Sequence, residues 1–123
     1  MKLLLDTHAV IWWLAGSARL TKRARAAIEA AGEDAFVSAA SIWEASIKRA
    51  DGKLAGPDLA DAVASAGLAF LGIDERHATL AGVLAPIHRD PFDRMLVAQA
   101  TIERLTIVST DANIARYDVK VLW

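Results

Sequence analysis

Four acids, Asp6, Glu44, Asp93 and Asp111, lie at positions where strands end or helices begin. Asp6 follows the apolar run Leu3-Leu4-Leu5, and Asp111 follows Leu105-Thr106-Ile107-Val108 by way of Ser109-Thr110. Glu44 and Asp93 fall in the first turns of expected helices. Taken singly, each has an ordinary structural reading. Asp6 caps the first helix, Ser41-x-x-Glu44 is a capping box, and Asp111 caps a turn at Ala112. Asp90-Pro91-Phe92-Asp93 reads as a cap too, with Asp90 as N-cap, Pro91 at N1 and Asp93 at N3. Taken together, the caps converge. In a parallel α/β sheet the strand C-termini and helix N-termini share one edge, and ligands bind in the crevice there. Carboxylates crowded and buried at such a rim repel and drift toward protonation unless a cation joins them. An all-oxygen donor set, in a chain with Cys 0, suits a hard cation such as Mg²⁺ or Mn²⁺. Two such ions about 3.5–4 Å apart activate a water and stabilise the leaving oxygen in phosphodiester hydrolysis. That chemistry uses several carboxylates and no protein nucleophile.

The elements that must position these acids can be read in order. A short continuous apolar run, as at Leu3-Leu4-Leu5, suits a strand covered on both faces. His8 to Ala15 has helix length and is apolar nearly all round, which predicts burial by the core and by a second subunit. Thr21 caps a helix from Lys22 to Ala31 that Gly32 ends. Ala35-Phe36-Val37 is a strand, and Ser38 or Ser41 caps a helix that stops before Asp51-Gly52. Pro57 at N1 starts a helix through Ala66, with Gly67 as its stop. Ala69-Phe70-Leu71 is a strand and Asp74 opens a helix over Ala78 to Val83. From Pro91 a helix runs to about Arg104, with Phe92, Met95, Leu96 and Ile102 on its inner stripe. Leu105 to Val108 is a buried strand, Ala112 to Ala115 a short helical turn, and Val119 to Leu122 a terminal strand. Strands alternating with helices predict an α/β fold with a mostly parallel sheet, as one domain over residues 1–123.

Composition narrows the function classes. The 123 residues suffice for a hydrophobic core; 54% are hydrophobic and mean hydropathy is +0.29, which argues against disorder. No stretch has the roughly 18 apolar residues of a membrane span, and no secretory signal is present, so a cytoplasmic protein is expected. Without cysteine there is no disulfide, thiolate metal site or cysteine nucleophile. A formal net charge of -1 excludes a globally basic nucleic-acid binder. It leaves room for a basic rim around an acidic, metal-filled centre.

The segments carrying the acids also resemble a known family. LLLDTHAVIWWL at Leu3 to Leu14, Ser41-Ile42-Trp43-Glu44, HRDPFDRMLVAQA from His88 to Ala100, and Ile107-Val108-Ser109-Thr110-Asp111 resemble the PIN-domain ribonucleases. More narrowly they are similar to the VapC toxins of type II toxin–antitoxin pairs, across essentially the whole chain. The resemblance implies a parallel sheet flanked by helices and a Mg²⁺ or Mn²⁺ site formed by Asp6, Glu44, Asp93 and Asp111. Asp93 is preferred to Asp90 because the family's acid directly precedes the stretch matching Arg94 to Ala98; Asp90 would still reach a metal through water. Thr7 and Thr110 match the hydroxyl positions that orient the acids. The implied activity is endoribonuclease cleavage by water attack, leaving 5′-phosphate and 3′-hydroxyl ends. The implied partners are an RNA substrate, a cognate VapB-type antitoxin that docks on an apolar groove, and a second copy of the chain.

Other residues invite functional readings. Arg89, Arg94, Lys48 and Arg49 lie near the acids in sequence and suit phosphate, or else pair with neighbouring acids. His88, in the loop before Asp93, is a candidate substrate contact. His8 reads as structural and His77 as an exposed helix residue. Trp12, Trp13 and Trp43 divide between core, partner surface and base stacking. Three rivals remain. One is a catalytically silent PIN-like interaction module, which need not bind Mn²⁺. Another is a haloacid-dehalogenase-type phosphatase, whose chemistry wants a second Asp where this chain has His8. The third is a phosphoacceptor domain, which wants paired acids beside the first strand.

Overall fold

The computed structural model describes residues 1–123. Five strands, β1 (Leu3–Leu5), β2 (Ala35–Ser38), β3 (Ala69–Leu71), β4 (Thr106–Val108) and β5 (Val121–Leu122), form one sheet in the order β3-β2-β1-β4-β5. Every pairing is parallel, so the sheet is all-parallel rather than mostly so. Six helices flank it: α1 (Thr7–Leu14), α2 (Lys22–Ala31), α3 (Ala39–Ala50), α4 (Leu59–Ser65), α5 (Glu75–Val83) and α6 (Pro91–Glu103). The architecture is α/β, one parallel sheet with helices on its flanks.

The strand register explains why three leucines in a row are tolerated. Leu3 and Leu5 join one core with Val10, Ile28, Val37, Val63 and Val108, while Leu4 joins the opposite core with Leu96, Val97, Ile107 and Ile114. Successive side chains leave a strand on opposite faces, so a central strand covered on both sides is apolar at every position. α6 is buried from Leu96 through Ala100, because it packs against α5 and α3 as well as β4. The expected inner stripe is therefore too narrow: of its four residues only Leu96 is fully buried, and Phe92 and Met95 are half-buried.

Four local assignments change. The fourth helix is capped by Asp58, whose carboxylate accepts from Asp61 N–H, and starts at Leu59 rather than at Pro57. Ser38, not Ser41, caps α3, so Glu44 sits in the second turn and takes no part in a capping box. His77 is buried, only 2% exposed. Its Nδ1 accepts the Asp74 N–H as half of a capping box, which folds the ring inward at the start of α5. The terminal strand is shorter than expected, at Val121–Leu122.

The chain order places the topological switch beside β1. β2 and β3 add on one side of it, β4 and β5 on the other. Leu5 is in register with both Val37 and Val108, so the residues after β1 and β4 emerge together at the switch. The crevice outside strand C-termini at such a point is where open α/β sheets bind ligands.

Candidate functional site

Asp6 leaves the end of β1 with its backbone N–H still bonded to Val108 O, at 3.1 Å. Its Oδ1 caps α1 by accepting from Ala9 N–H at 2.7 Å. It therefore caps the helix and still lines the cleft, since one carboxylate oxygen suffices for the cap. Burial pushes its pKa up; the Ser109 hydroxyl and the Ala9 N–H pull the other way.

Thr7 opens α1 beside it. Its hydroxyl donates to Glu44 Oε1 at 2.6 Å and pairs with Ser41 Oγ at 3.0 Å. Glu44 Oε2 lies 3.2 Å from Lys48 Nζ, one helical turn on. Glu44 is thus oriented from two sides, by a buried hydroxyl and by a half-exposed ammonium. This is why α3 must pack against α1: the contact sets where the Glu44 carboxylate stands.

Asp90 caps α6 by accepting from Phe92 N–H at 2.8 Å, with Pro91 at the first helical position as expected. That leaves Asp93 free to face the cleft. Burial first, then the nearby Asp90 carboxylate, pushes Asp93 up to about 7; Glu44 and Asp111 add to the rise and His88 opposes it. Asp111 Oδ1 accepts from Asn113 and Ile114 N–H at 2.8 and 3.2 Å, so it too is a cap. Burial would raise its pKa, but the His88 ring and those two amides outweigh it and leave it lowered.

These elements enclose a cleft of about 220 Å³ lined by Asp6, Thr7, His8, Glu44, Lys48, Asp90, Asp93, Thr110 and Asp111, without one hydrophobic residue. All four expected acids line it. His88 Nε2 stands 3.2 Å from Asp93 Oδ2 and 3.0 Å from Asp111 Oδ2, and one ligand atom from each of the three lies within 4.8 Å of the others. Five carboxylates, counting Asp90, around one polar cleft form a donor set that fits a hard divalent cation. The raised pKa of Asp93 comes from burial first and from the Asp90, Glu44 and Asp111 charges after it, both of which disfavour a further negative charge in the cleft.

The supporting residues differ in part from expectation. Arg94 does not line the cleft, contrary to its expected phosphate role. Its guanidinium donates to the carbonyls of Ala81, Leu84, Ala85 and His88, which ties the end of α5 and the following loop to α6. Lys48 does line the cleft, and with Arg89 it lines a groove that adjoins it through Glu44 and Asp90. Thr110 faces solvent at the cleft mouth. The hydroxyl that is buried among the acids belongs to Ser109, which accepts from Asp111 N–H at 3.0 Å and lies against Asp6. The available signal was strand geometry: Ser109 continues the β4 pairing, its N–H bonded to Leu122 O, so its side chain faces inward where that of Thr110 turns out. His8 lines the cleft and stacks on Trp12 with 5.5 Å between ring centroids. Trp12 also meets Trp123 edge-on, so it is a packed platform, while Trp43 is 62% exposed and touches Phe92 edge-on.

Known proteins share this fold. The PIN domain family model matches residues 3–120. No curated protein sequence matches significantly. Among solved structures, a DNA-bound VapBC from Salmonella typhimurium superposes with a TM-score of 0.73 at 19% identity, over 99% of this chain and 97% of that one. A toxin–antitoxin complex from Klebsiella pneumoniae gives 0.69 at 17% identity, over 99% and 97%. FitAcB from Neisseria gonorrhoeae gives 0.64 at 20% identity, over 98% and 96%. At these identities the likeness establishes a shared fold.

Proposed function

The chain belongs to the PIN-domain family, and from that premise we propose that it is a metal-dependent endoribonuclease, the toxin of a type II toxin–antitoxin pair. The observation that carries this reading is the convergence of Asp6, Glu44, Asp93 and Asp111 on one polar cleft, with Asp93 raised to about 7. Asp6, Asp93 and Asp111 would hold Mg²⁺ or Mn²⁺, and Glu44 would complete the set or position the attacking water. Bound there, the ion would supply water activation and charge neutralisation at the scissile phosphate. The chain's own groups do the rest. Thr7 fixes Glu44, Ser109 lies between Asp6 and Asp111, and the amides of Asn113 and Ile114 fix Asp111. Lys48 and Arg89 face the groove along which an RNA backbone would leave the cleft.

The same reading supplies partners. An apolar groove of about 290 Å³ lies between α1 and α4, lined by Ile11, Leu14, Leu54, Pro57, Leu59 and Ala62. An antitoxin segment with an apolar face would dock there and bring a basic side chain toward the acids. Support comes from the structural neighbours, which are described as toxin–antitoxin or VapBC complexes. Homodimerisation belongs to the proposal as well, with Trp43, Ile47 and Phe92 as exposed or half-exposed apolar residues near the cleft. No helix is long and apolar enough to cross a membrane.

The test is cleavage of structured RNA by purified protein with Mn²⁺ or Mg²⁺, beside Asp93→Asn and a chelator control. Cutting that requires the ion and Asp93, with 5′-phosphate and 3′-hydroxyl ends, is the expected result. Ends bearing 2′,3′-cyclic phosphate would rule out water attack. A wild type that neither cuts RNA nor binds Mn²⁺ would leave the interaction-module reading instead.

A further inference from the structure

His88 is held from every side. Its backbone N–H donates to Tyr117 Oη at 2.9 Å, and its carbonyl accepts from Arg94 Nη1 at 3.4 Å. The Tyr117 hydroxyl in turn donates to Ala85 O at 2.8 Å, so the loop before α6 is clamped at both ends. The ring itself is fixed too: Nδ1 accepts from Asp90 N–H at 3.1 Å, and Nε2 reaches both Asp111 Oδ2 and Asp93 Oδ2.

The tautomer follows from these partners. A backbone N–H can only donate, so Nδ1 must present its lone pair, and the proton of the neutral ring sits on Nε2. Carboxylates accept, which agrees with a proton at Nε2 from the other side. A nitrogen that carries a proton has no lone pair to offer a cation. Proximity alone would make His88 a third ligand beside Asp93 and Asp111; hydrogen bonding excludes it. Asp111 Oδ1 is already taken by two backbone amides, so the His88 N–H fixes its second oxygen and leaves the remaining lone pair in one direction.

We propose that His88 is a positioning residue: its Nε2–H, locked by the Asp90 amide, Tyr117 and Arg94, orients the Asp93 and Asp111 carboxylates so that oxygens alone take the divalent ion. This rests on the metal-dependent reading above. It differs from that reading in assigning a role to a residue outside the four acids, and from a substrate contact in requiring no RNA.

The experiment measures Mn²⁺ binding by calorimetry on the full chain without RNA, for wild type, His88→Ala, His88→Gln and Tyr117→Phe, each checked for a cooperative thermal melt. His88→Ala should weaken binding by about 10–100-fold, the usual effect of removing a group that orients metal ligands. Gln places an amide N–H near the position of Nε2 and should recover most of that loss, and Tyr117→Phe should give an intermediate loss. In parallel, ¹⁵N-histidine-labelled wild type is titrated with diamagnetic Mg²⁺ while the His88 ring nitrogens are followed by long-range ¹H–¹⁵N spectra. This readout does not depend on any variant folding. Nε2 should keep its proton at saturating Mg²⁺. Wild-type affinity in His88→Ala, or loss of the Nε2 proton on adding Mg²⁺, would overturn the proposal. A wild type that binds no divalent ion would overturn the metal-dependent reading itself, before any substitution is compared.

Discussion

The Thr7 hydroxyl and the Glu44 carboxylate meet at 2.6 Å across 37 residues of sequence. Thr7 begins the helix that Asp6 caps, so this one bond ties the position of Glu44 on α3 to the end of the central strand. A hydrogen bond from a buried hydroxyl to a carboxylate is worth about 1.5–3 kcal/mol. Thr7→Val keeps the shape and deletes the donor. It should lower stability by an amount in that range and weaken divalent-ion affinity by about 10–100-fold. Thr7→Ser, which restores the hydroxyl, should recover both. Chemical denaturation and calorimetry on the three proteins check this; unchanged ion affinity in Thr7→Val would mean that Lys48 alone holds Glu44 in place.

Asp93 makes the stability of the metal-free protein depend on pH in an unusual direction. Its folded pKa of about 7 lies above the ordinary value of 3.8, because of burial first and Asp90 second. Between those two values the folded state binds the extra proton, so stability falls as pH rises. The contribution is fully present below about pH 4 and lost by the time pH passes about 7. In chelator, the protein should melt lower at pH 8 than at pH 5. Asp93→Asn removes the charge, so it should flatten this dependence and melt higher than wild type at pH 8 while losing ion binding. Mn²⁺ should stabilise wild type more at pH 8 than at pH 5. Thermal melts at both pH values decide the point.

Arg94 was legible as a phosphate contact and is a structural clamp. Its fork reaches carbonyls at the end of α5 and in the loop that carries His88. Arg94→Ala leaves those carbonyls without their charged donor and should cost roughly 2–3 kcal/mol. Lys offers one compact ammonium rather than a planar fork and should rescue little. Urea unfolding of both variants tests this. A phosphate-binding Arg would show the reverse pattern, with stability kept and RNA affinity lost.

How far the sequence could be read follows from which forces decide each feature. The strands were legible because burial on both faces writes a continuous apolar run, as at Leu3 to Leu5. Asp6 and Asp111 were legible because caps are local patterns and a parallel sheet gathers caps at one edge; Glu44 and Asp93 cap nothing and reach the same cleft from the flanks of α3 and α6. What escaped was set by tertiary contact. Ser38 and Ser41 both looked like caps; the direct junction of β2 into α3 gave the cap to Ser38 and freed Ser41 for Thr7. Thr110 was the expected orienting hydroxyl; pairing of Ser109 with Leu122 turned the serine inward instead. His88, Tyr117 and Arg94 are brought together by the fold from positions up to 29 residues apart, and no local pattern announces that cluster.

The apolar groove between α1 and α4, the proposed docking surface, is separate from the acidic cleft. Leu14 and Leu59 line it, whereas none of the groove residues lines the acidic cleft. Leu14 is half-buried, so a charge there can reach water without unfolding the core, yet it would sit in the path of an apolar segment. Leu14→Glu should therefore leave RNA cleavage by the isolated protein unchanged. Burying that carboxylate unpaired under a docked segment is costly, and each 1.4 kcal/mol of the penalty is about tenfold in affinity. Antitoxin binding should accordingly weaken by at least about tenfold, and growth arrest should persist when antitoxin is co-expressed. Calorimetry with the cognate antitoxin and a growth assay read the two effects separately. Full neutralisation of Leu14→Glu would move the docking surface elsewhere, with the exposed Trp43 face the next place to test.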